Sequence, residues 1–158
     1  MEKKAAEVVK LLIEKGWYIS FAESCTGGLA SAALVGVPDA SKVLKLALVT
    51  YANEAKRDML KVSGQDLDTY GAVSRQVAGQ MARGAAALAG AQAAVGISGI
   101  AGPGGGSPEK PVGTVCFGFY IDGQLTTCTE HFGDLGRNKV RQTCVEFVYD
   151  RLLQLLSR

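Results

Sequence analysis

The sequence predicts an α/β domain built on a mixed sheet. Three observations carry this expectation. Segments with helical apolar spacing alternate with short apolar runs, in the order α-β-α-β-α through Leu60. A further alanine-rich helical segment precedes another apolar run, Ala93 to Ile97. Two strand-like runs then flank Asp122-Gly123, a hairpin signal, so the sheet must include an antiparallel pair.

Ala5 to Lys15 places Val8, Val9, Leu11 and Leu12 at helical spacing and stops at Gly16, a suitable left-handed closing residue. Trp17 to Ala22 is aromatic and β-branched, reading as a buried strand that ends at Ala22 or Glu23. Thr26-Gly27-Gly28 opens a helix from Leu29 to Val35, closed by Gly36 and Pro38. Val43 to Val49 is the second apolar run, and Asn53 to Leu60 has helical character. Ser74 is a candidate N-cap for a helix over Val77 to Leu88, whose small residues suit close packing on a sheet. Ala93 to Ile97 runs directly into the glycine-rich loop Ser98 to Gly106. Val112 to Ile121 and Leu125 to Phe132 form the hairpin. Arg137 to Leu156 is a final amphipathic helix striped by Val140, Cys144, Phe147, Val148, Leu152 and Leu155. With no repeat or linker, residues 1–158 read as a single domain.

The balance of 17 basic against 15 acidic residues, net +2, creates no field that suggests nucleic acid or an anionic membrane as partner. No apolar run approaches the ~20 residues of a membrane span. The start, Met1-Glu2-Lys3-Lys4, lacks a signal-peptide core, so a cytoplasmic location is expected. Cys25, Cys116, Cys128 and Cys144 show no CxxC spacing and read as free thiols. The single histidine, His131, excludes a multi-histidine metal site, so hydrolysis here would be metal-free or rely on carboxylate ligands. No metal or cofactor is expected. The alanine-rich helix and the apolar last helix suit a homodimer or higher homo-oligomer.

In α/β sheets ligands gather at the carboxyl ends of strands, where loops and helix starts present unpaired N–H groups. Three junctions fit: Glu23 to Gly28, Thr50 to Lys56, and Ser98 to Gly102. If their strands are parallel neighbours, all three share one sheet edge. Amide hydrolysis needs a nucleophile, a base and donors for the oxyanion. Ser24 is the candidate nucleophile beside a glycine-rich helix start. His131 lies on the hairpin, away from the junctions, so the base must be a lysine or a carboxylate. Lys56 stands about one turn beyond its strand. Desolvation, and a cation such as Arg57 or Arg141, would lower its pKa, whereas Glu23 would oppose this and should point away, toward backbone amides.

Other readings of the same residues remain open at this level. Ser24 and Thr26 beside two glycines also describe a helix cap, Lys56 an exposed helix lysine, and Tyr51 a packing residue. The 98–106 loop reads equally as a connection or as a ligand loop. Cys25 is a rival nucleophile, because helix starts lower thiol pKa, and also a plausible small core residue.

The segments Ala22 to Gly28, Val49 to Lys56, Gly71-Ala72-Val73-Ser74, Ser98 to Pro103 and Glu109 to Val115 closely resemble, in order, the CinA C-terminal family. The match runs from about Ala5 to the end. The resemblance implies a three-layer α/β/α sandwich with a mixed, mostly parallel sheet that includes one antiparallel hairpin. It also implies metal-independent serine/lysine hydrolysis of the carboxamide of nicotinamide mononucleotide, yielding nicotinic acid mononucleotide and ammonia. Ser24 would then be the nucleophile, Lys56 its base and Tyr51 an orienting or relaying group. Thr26, Gly27, Gly28, Ser98, Gly99, Ala101 and Gly102 would line the substrate pocket. Arg141 matches the family's arginine near the start of the last helix and would pair with the phosphate or lower the lysine pKa. Many relatives carry a further N-terminal domain of the molybdopterin-cofactor-binding type, and this chain resembles the stand-alone version. A non-catalytic nucleotide-binding or competence-associated regulatory module is the alternative.

Overall fold

Five strands pair in the order β2-β1-β3-β4-β5, so that β1 (Ile19–Glu23) lies between β2 (Leu44–Val49) and β3 (Ala93–Gly99) and runs parallel to both. β4 (Thr114–Ile121) is antiparallel to β3 and to β5 (Gln124–His131). Four strands therefore run one way and only β4 opposes them. Asp122 and Gly123 close the hairpin with φ of 47° and 87°, the positive values a tight two-residue turn requires. The computed structural model describes residues 1–158.

Helices cover both faces of the sheet. On one side α1 (Glu2–Lys15), α2 (Leu29–Val35) and α6 (Arg137–Leu156) enclose the larger core, with Phe21, Val95, Ile97, Phe117 and Phe119 pointing up from the strands. On the other side α3 (Asn53–Leu60), α4 (Gly64–Tyr70) and α5 (Arg75–Ala89) cover a smaller core around Ala22, Leu60, Met81 and Ala94. The three layers match the sandwich that the resemblance implied.

Small residues let α5 sink onto the sheet. A Cβ on Gly96 would stand 2.1 Å from Ala78 O, and one on Gly118 2.4 Å from the same oxygen. The alanines and glycines of α5 thus pack within the chain. Ser74 Oγ accepts from Val77 N at 3.2 Å and starts this helix, as its sequence position suggested.

α4 was not legible as a helix. It carries one apolar residue capable of facing the core, Leu67, and none of its residues is buried. Ser63 Oγ, accepting from Asp66 N at 3.2 Å, starts it instead. No helix is long and apolar enough to cross a membrane.

Candidate active site

The parallel order β2-β1-β3 brings the three junctions to one sheet edge. Strand alternation then aligns their side chains. Glu23 pairs with Val49 and Ile97, and the ladders continue one residue further through Thr50 N to Glu23 O (2.9 Å) and Ser24 N to Ile97 O (3.0 Å). Ser98 pairs with Cys116, and Cys116 with Thr129. Thr50, Ser24, Ser98, Cys116 and Thr129 consequently form one row of hydroxyls and a thiol across the sheet, on the face that α5 covers.

Lys56 enters this row from α3. It is 1% exposed, and its Nζ lies 2.9 Å from Ser24 Oγ, 2.8 Å from Thr50 O and 3.0 Å from Tyr51 O. The two carbonyls accept two N–H groups, which directs the third position of the nitrogen at the serine hydroxyl. In the neutral amine that position is a lone pair, and Ser24 O–H donates to it. Burial pulls the Lys56 pKa below the ordinary lysine value and outweighs the opposing charge interaction with Cys25. No cation contributes: Arg57 pairs with Asp58 at 3.0 Å on the surface, and Arg141 is committed elsewhere. Desolvation alone replaces the expected cation effect.

Glu23 is fully buried, yet its carboxylate does not face Lys56. It accepts from Gly28 N (3.0 Å), Ala30 N (3.1 Å), Ser31 N (2.8 Å) and Ser31 Oγ (2.9 Å). It thereby caps α2 from within β1 and spends the charge on backbone amides, as the sequence argument required. Gly27 and Gly28, with φ of 57° and 99°, make the sharp turn that brings those amides back over Glu23.

The turn therefore offers fewer free donors than expected. Gly27 N donates to Ser24 O, Gly28 N to Glu23 and Leu29 N to Thr26 O. The N–H groups of Cys25 and Thr26 make no internal bond. The hydroxyls of Thr26 and Thr50 are buried and also unpartnered.

Arg141 reaches the site from α6 and holds the main chain of the Ser24 turn. Nε donates to Cys25 O at 2.9 Å, Nη2 to Thr26 O at 3.1 Å and Nη1 to Asn138 Oδ1 at 2.9 Å, so the guanidinium clamps the Ser24 turn from behind. Tyr51 serves Lys56 through its carbonyl. Its side chain is 61% exposed and its phenol accepts from Arg137 Nη2 at 3.0 Å, with no hydrogen bond to Ser24 or Lys56. Arg137 Nη1 also donates to Gly102 O at 2.8 Å, tying the second and third junctions together across the mouth. Arg137 and the Thr50 carbonyl were missed in the sequence. Arginine at the start of α6 was a visible signal, whereas a backbone carbonyl has none.

In the third junction Ser98 sits in the row beside Ser24, and Gly99 passes tightly under Val115, whose side chain a Cβ would meet at 2.6 Å. Ala101 is 4% exposed and its side chain packs in the core on the α6 side. Cys25 also turns into that core, against Cys144, which opposes its role as a nucleophile. Their shared hydrogen bond and burial push the Cys144 thiol up. His131 ends β5 on the same sheet edge as the junctions, with Nδ1 3.3 Å from Thr114 Oγ1, but three strands from Ser24. It shares the edge but stands on the hairpin, apart from Ser24 and Lys56, and is no partner of Ser24.

The sequence matches the CinA C-terminal domain over residues 1–156. It is 46% identical over 149 residues to the nicotinamide-nucleotide amidohydrolase PncC of Enterobacter agglomerans, covering 93% of this chain and 90% of that protein. A CinA-like protein of Kosmotoga olearia is 45% identical over 143 residues, and there the chain, matched over 90% of its length, spans only 34% of the relative. The crystal structure of the competence/damage inducible protein CihA from Agrobacterium tumefaciens superposes with a TM-score of 0.95 at 43% identity, over 99% of this chain and 95% of that one. Fold, motif order and sequence agree, and the chain belongs to the CinA C-terminal domain family.

Proposed function

We propose that this protein hydrolyses the carboxamide of nicotinamide mononucleotide to nicotinic acid mononucleotide and ammonia through a Ser24–Lys56 dyad. The single observation that carries the reading is the buried Lys56 amine, 2.9 Å from Ser24 Oγ, with two carbonyls occupying its other donor positions. The 46% identity to a nicotinamide-nucleotide amidohydrolase supports the substrate.

Ser24 Oγ attacks the amide carbon while Lys56 Nζ accepts its proton. The oxyanion takes hydrogen bonds from the free N–H groups of Cys25 and Thr26, and the Thr26 hydroxyl adds a donor on the same turn. Lys56 returns the proton to the departing nitrogen, which leaves as ammonia. Water, deprotonated by Lys56, then attacks the Ser24 ester, releases the acid and restores both side chains. Arg141 holds the turn in register, the Tyr51 carbonyl orients Lys56, and Ser98 with Gly99 and Gly102 borders the row. The four free cysteines support a reducing, cytoplasmic setting.

Purified protein should release ammonia from nicotinamide mononucleotide in the presence of EDTA. Saturable binding of the nucleotide in calorimetry, with no product formed by the wild-type chain, would replace this reading with that of a non-catalytic binding module.

A further inference from the structure

Gly71 to Ser74 and Glu109 to Val115 contribute nothing to the dyad, yet the fold brings them together. They meet across a cleft of about 590 Å³ lined by residues of both segments and of the β4–β5 hairpin. Its floor is polar and buried: Ser74, Thr114 and Cys116 are each less than a tenth exposed. Its walls carry Arg75, Lys110 and His131 against one carboxylate, Glu109.

None of the chain's ion pairs involves Arg75 or Lys110. Both are instead fixed in place by neutral partners. Arg75 Nε and Nη2 donate to Thr127 Oγ1 and O at 3.1 and 3.0 Å, and Lys110 Nζ donates to Tyr70 O. In a chain whose charges nearly balance, two oriented cations without carboxylates over a buried polar floor suit an anion with several acceptor oxygens.

The cleft and the dyad lie on one row of the same sheet edge. Ser98 separates Ser24 from Cys116, so the floor begins two strand spacings from the nucleophile, about 10 Å at ~4.8 Å per strand. In a pyridine mononucleotide the ring and ribose separate the carboxamide from the phosphate by a length of that order. We propose that this cleft holds the phosphate of the nucleotide whose carboxamide lies against Ser24, with Arg75, Lys110 and His131 as its donors. The assignment rests on the amide-hydrolysis reading of Ser24 and Lys56.

His131 is the only imidazole, so its ring C–H resonances identify themselves in a proton NMR spectrum. In Ser24→Ala protein, nicotinamide mononucleotide should shift these resonances saturably. Inorganic phosphate should shift them in the same direction and compete, and nicotinamide riboside should leave them in place. In the wild-type background, Arg75→Ala and Lys110→Gln should each raise KM for the mononucleotide about 10- to 100-fold, the loss of a charge-assisted hydrogen bond, with kcat within about twofold. His131 resonances that stay fixed while calorimetry records mononucleotide binding overturn the proposal. So does a phosphate-induced shift with KM unaltered in both variants, because the cleft would then take an anion other than the substrate's. The NMR readout needs no turnover, so absence of ammonia release would sink the hydrolysis reading without deciding whether the cleft binds phosphate.

Discussion

Lys56 Nζ stands 2.9 Å from Ser24 Oγ although 32 residues separate them in sequence. The contact exists because β1 and β2 are parallel neighbours: Ser24 follows the end of β1 with its side chain on the α5 face, and α3, which follows β2, carries Lys56 to the same row. Ser24→Ala and Lys56→Met should each lower kcat by at least about 10²–10⁴, the usual contribution of a positioned proton acceptor. Combining them should cost little more, because the two groups act as one unit. Ammonia release by single and double variants measures this, and additive losses would separate the two roles.

The pH dependence follows from the lowered Lys56 pKa. Only the neutral amine accepts the serine proton, so kcat/KM should rise with pH through an ionisation below the ordinary lysine value of about 10.4 and level off above it. Stability should move the same way. Folded protein binds fewer protons at Lys56 than unfolded protein does between the two pKa values, so unfolding free energy climbs with pH across that window. Lys56→Met should flatten that part of the curve in urea titrations.

Glu23→Gln keeps the shape of the side chain and removes its capacity to accept four hydrogen bonds at α2. A loss of about 2–3 kcal/mol is expected, with one buried donor facing another. Since Glu23 directly precedes the nucleophile, kcat should fall with it, while Glu23→Asp should recover part of the stability. Chemical denaturation of the three proteins checks the order.

Thr26→Val tests whether an orphaned hydroxyl serves the reaction. Replacing an unpartnered buried O–H by an isosteric methyl should leave stability equal or higher by up to about 1 kcal/mol. At the same time kcat/KM should drop. Unchanged kinetics would remove this hydroxyl from the site.

Tyr51→Phe should reduce kcat/KM less than about tenfold, because Lys56 is held by the backbone carbonyl and that bond survives the change. What is lost is the strap from the phenol to Arg137. Loosening should appear as faster hydrogen exchange at residues 51–53 and 101–103.

The helices and strands were largely readable because their signals are local. Apolar periodicity marked α1, α5 and α6, the Asp122-Gly123 turn marked the hairpin, and the glycine of Gly27-Gly28 announced a turn that other residues resist. Even the orientation of Glu23 followed from electrostatics, since a carboxylate beside Lys56 would keep the amine charged. α4 escaped because a short helix with no buried residue leaves no periodic stripe. The clamp of Arg141 on the Ser24 turn and the contact of Tyr51 with Arg137 were not legible, because a side chain's partner depends on what crosses it from a distant element.

Local chemistry along the chain thus determined the elements, the three strand-end junctions and the residue types able to run amide hydrolysis. The tertiary structure alone decided which groups meet. Strand order set Lys56 on Ser24, carried His131 back to the same edge at a distance of three strands, and gave Arg141 two carbonyls to hold. The reason is physical: propensity and capping act over a few residues, whereas hydrogen bonds across a sheet and the desolvation of an amine depend on packing that only the assembled layers create.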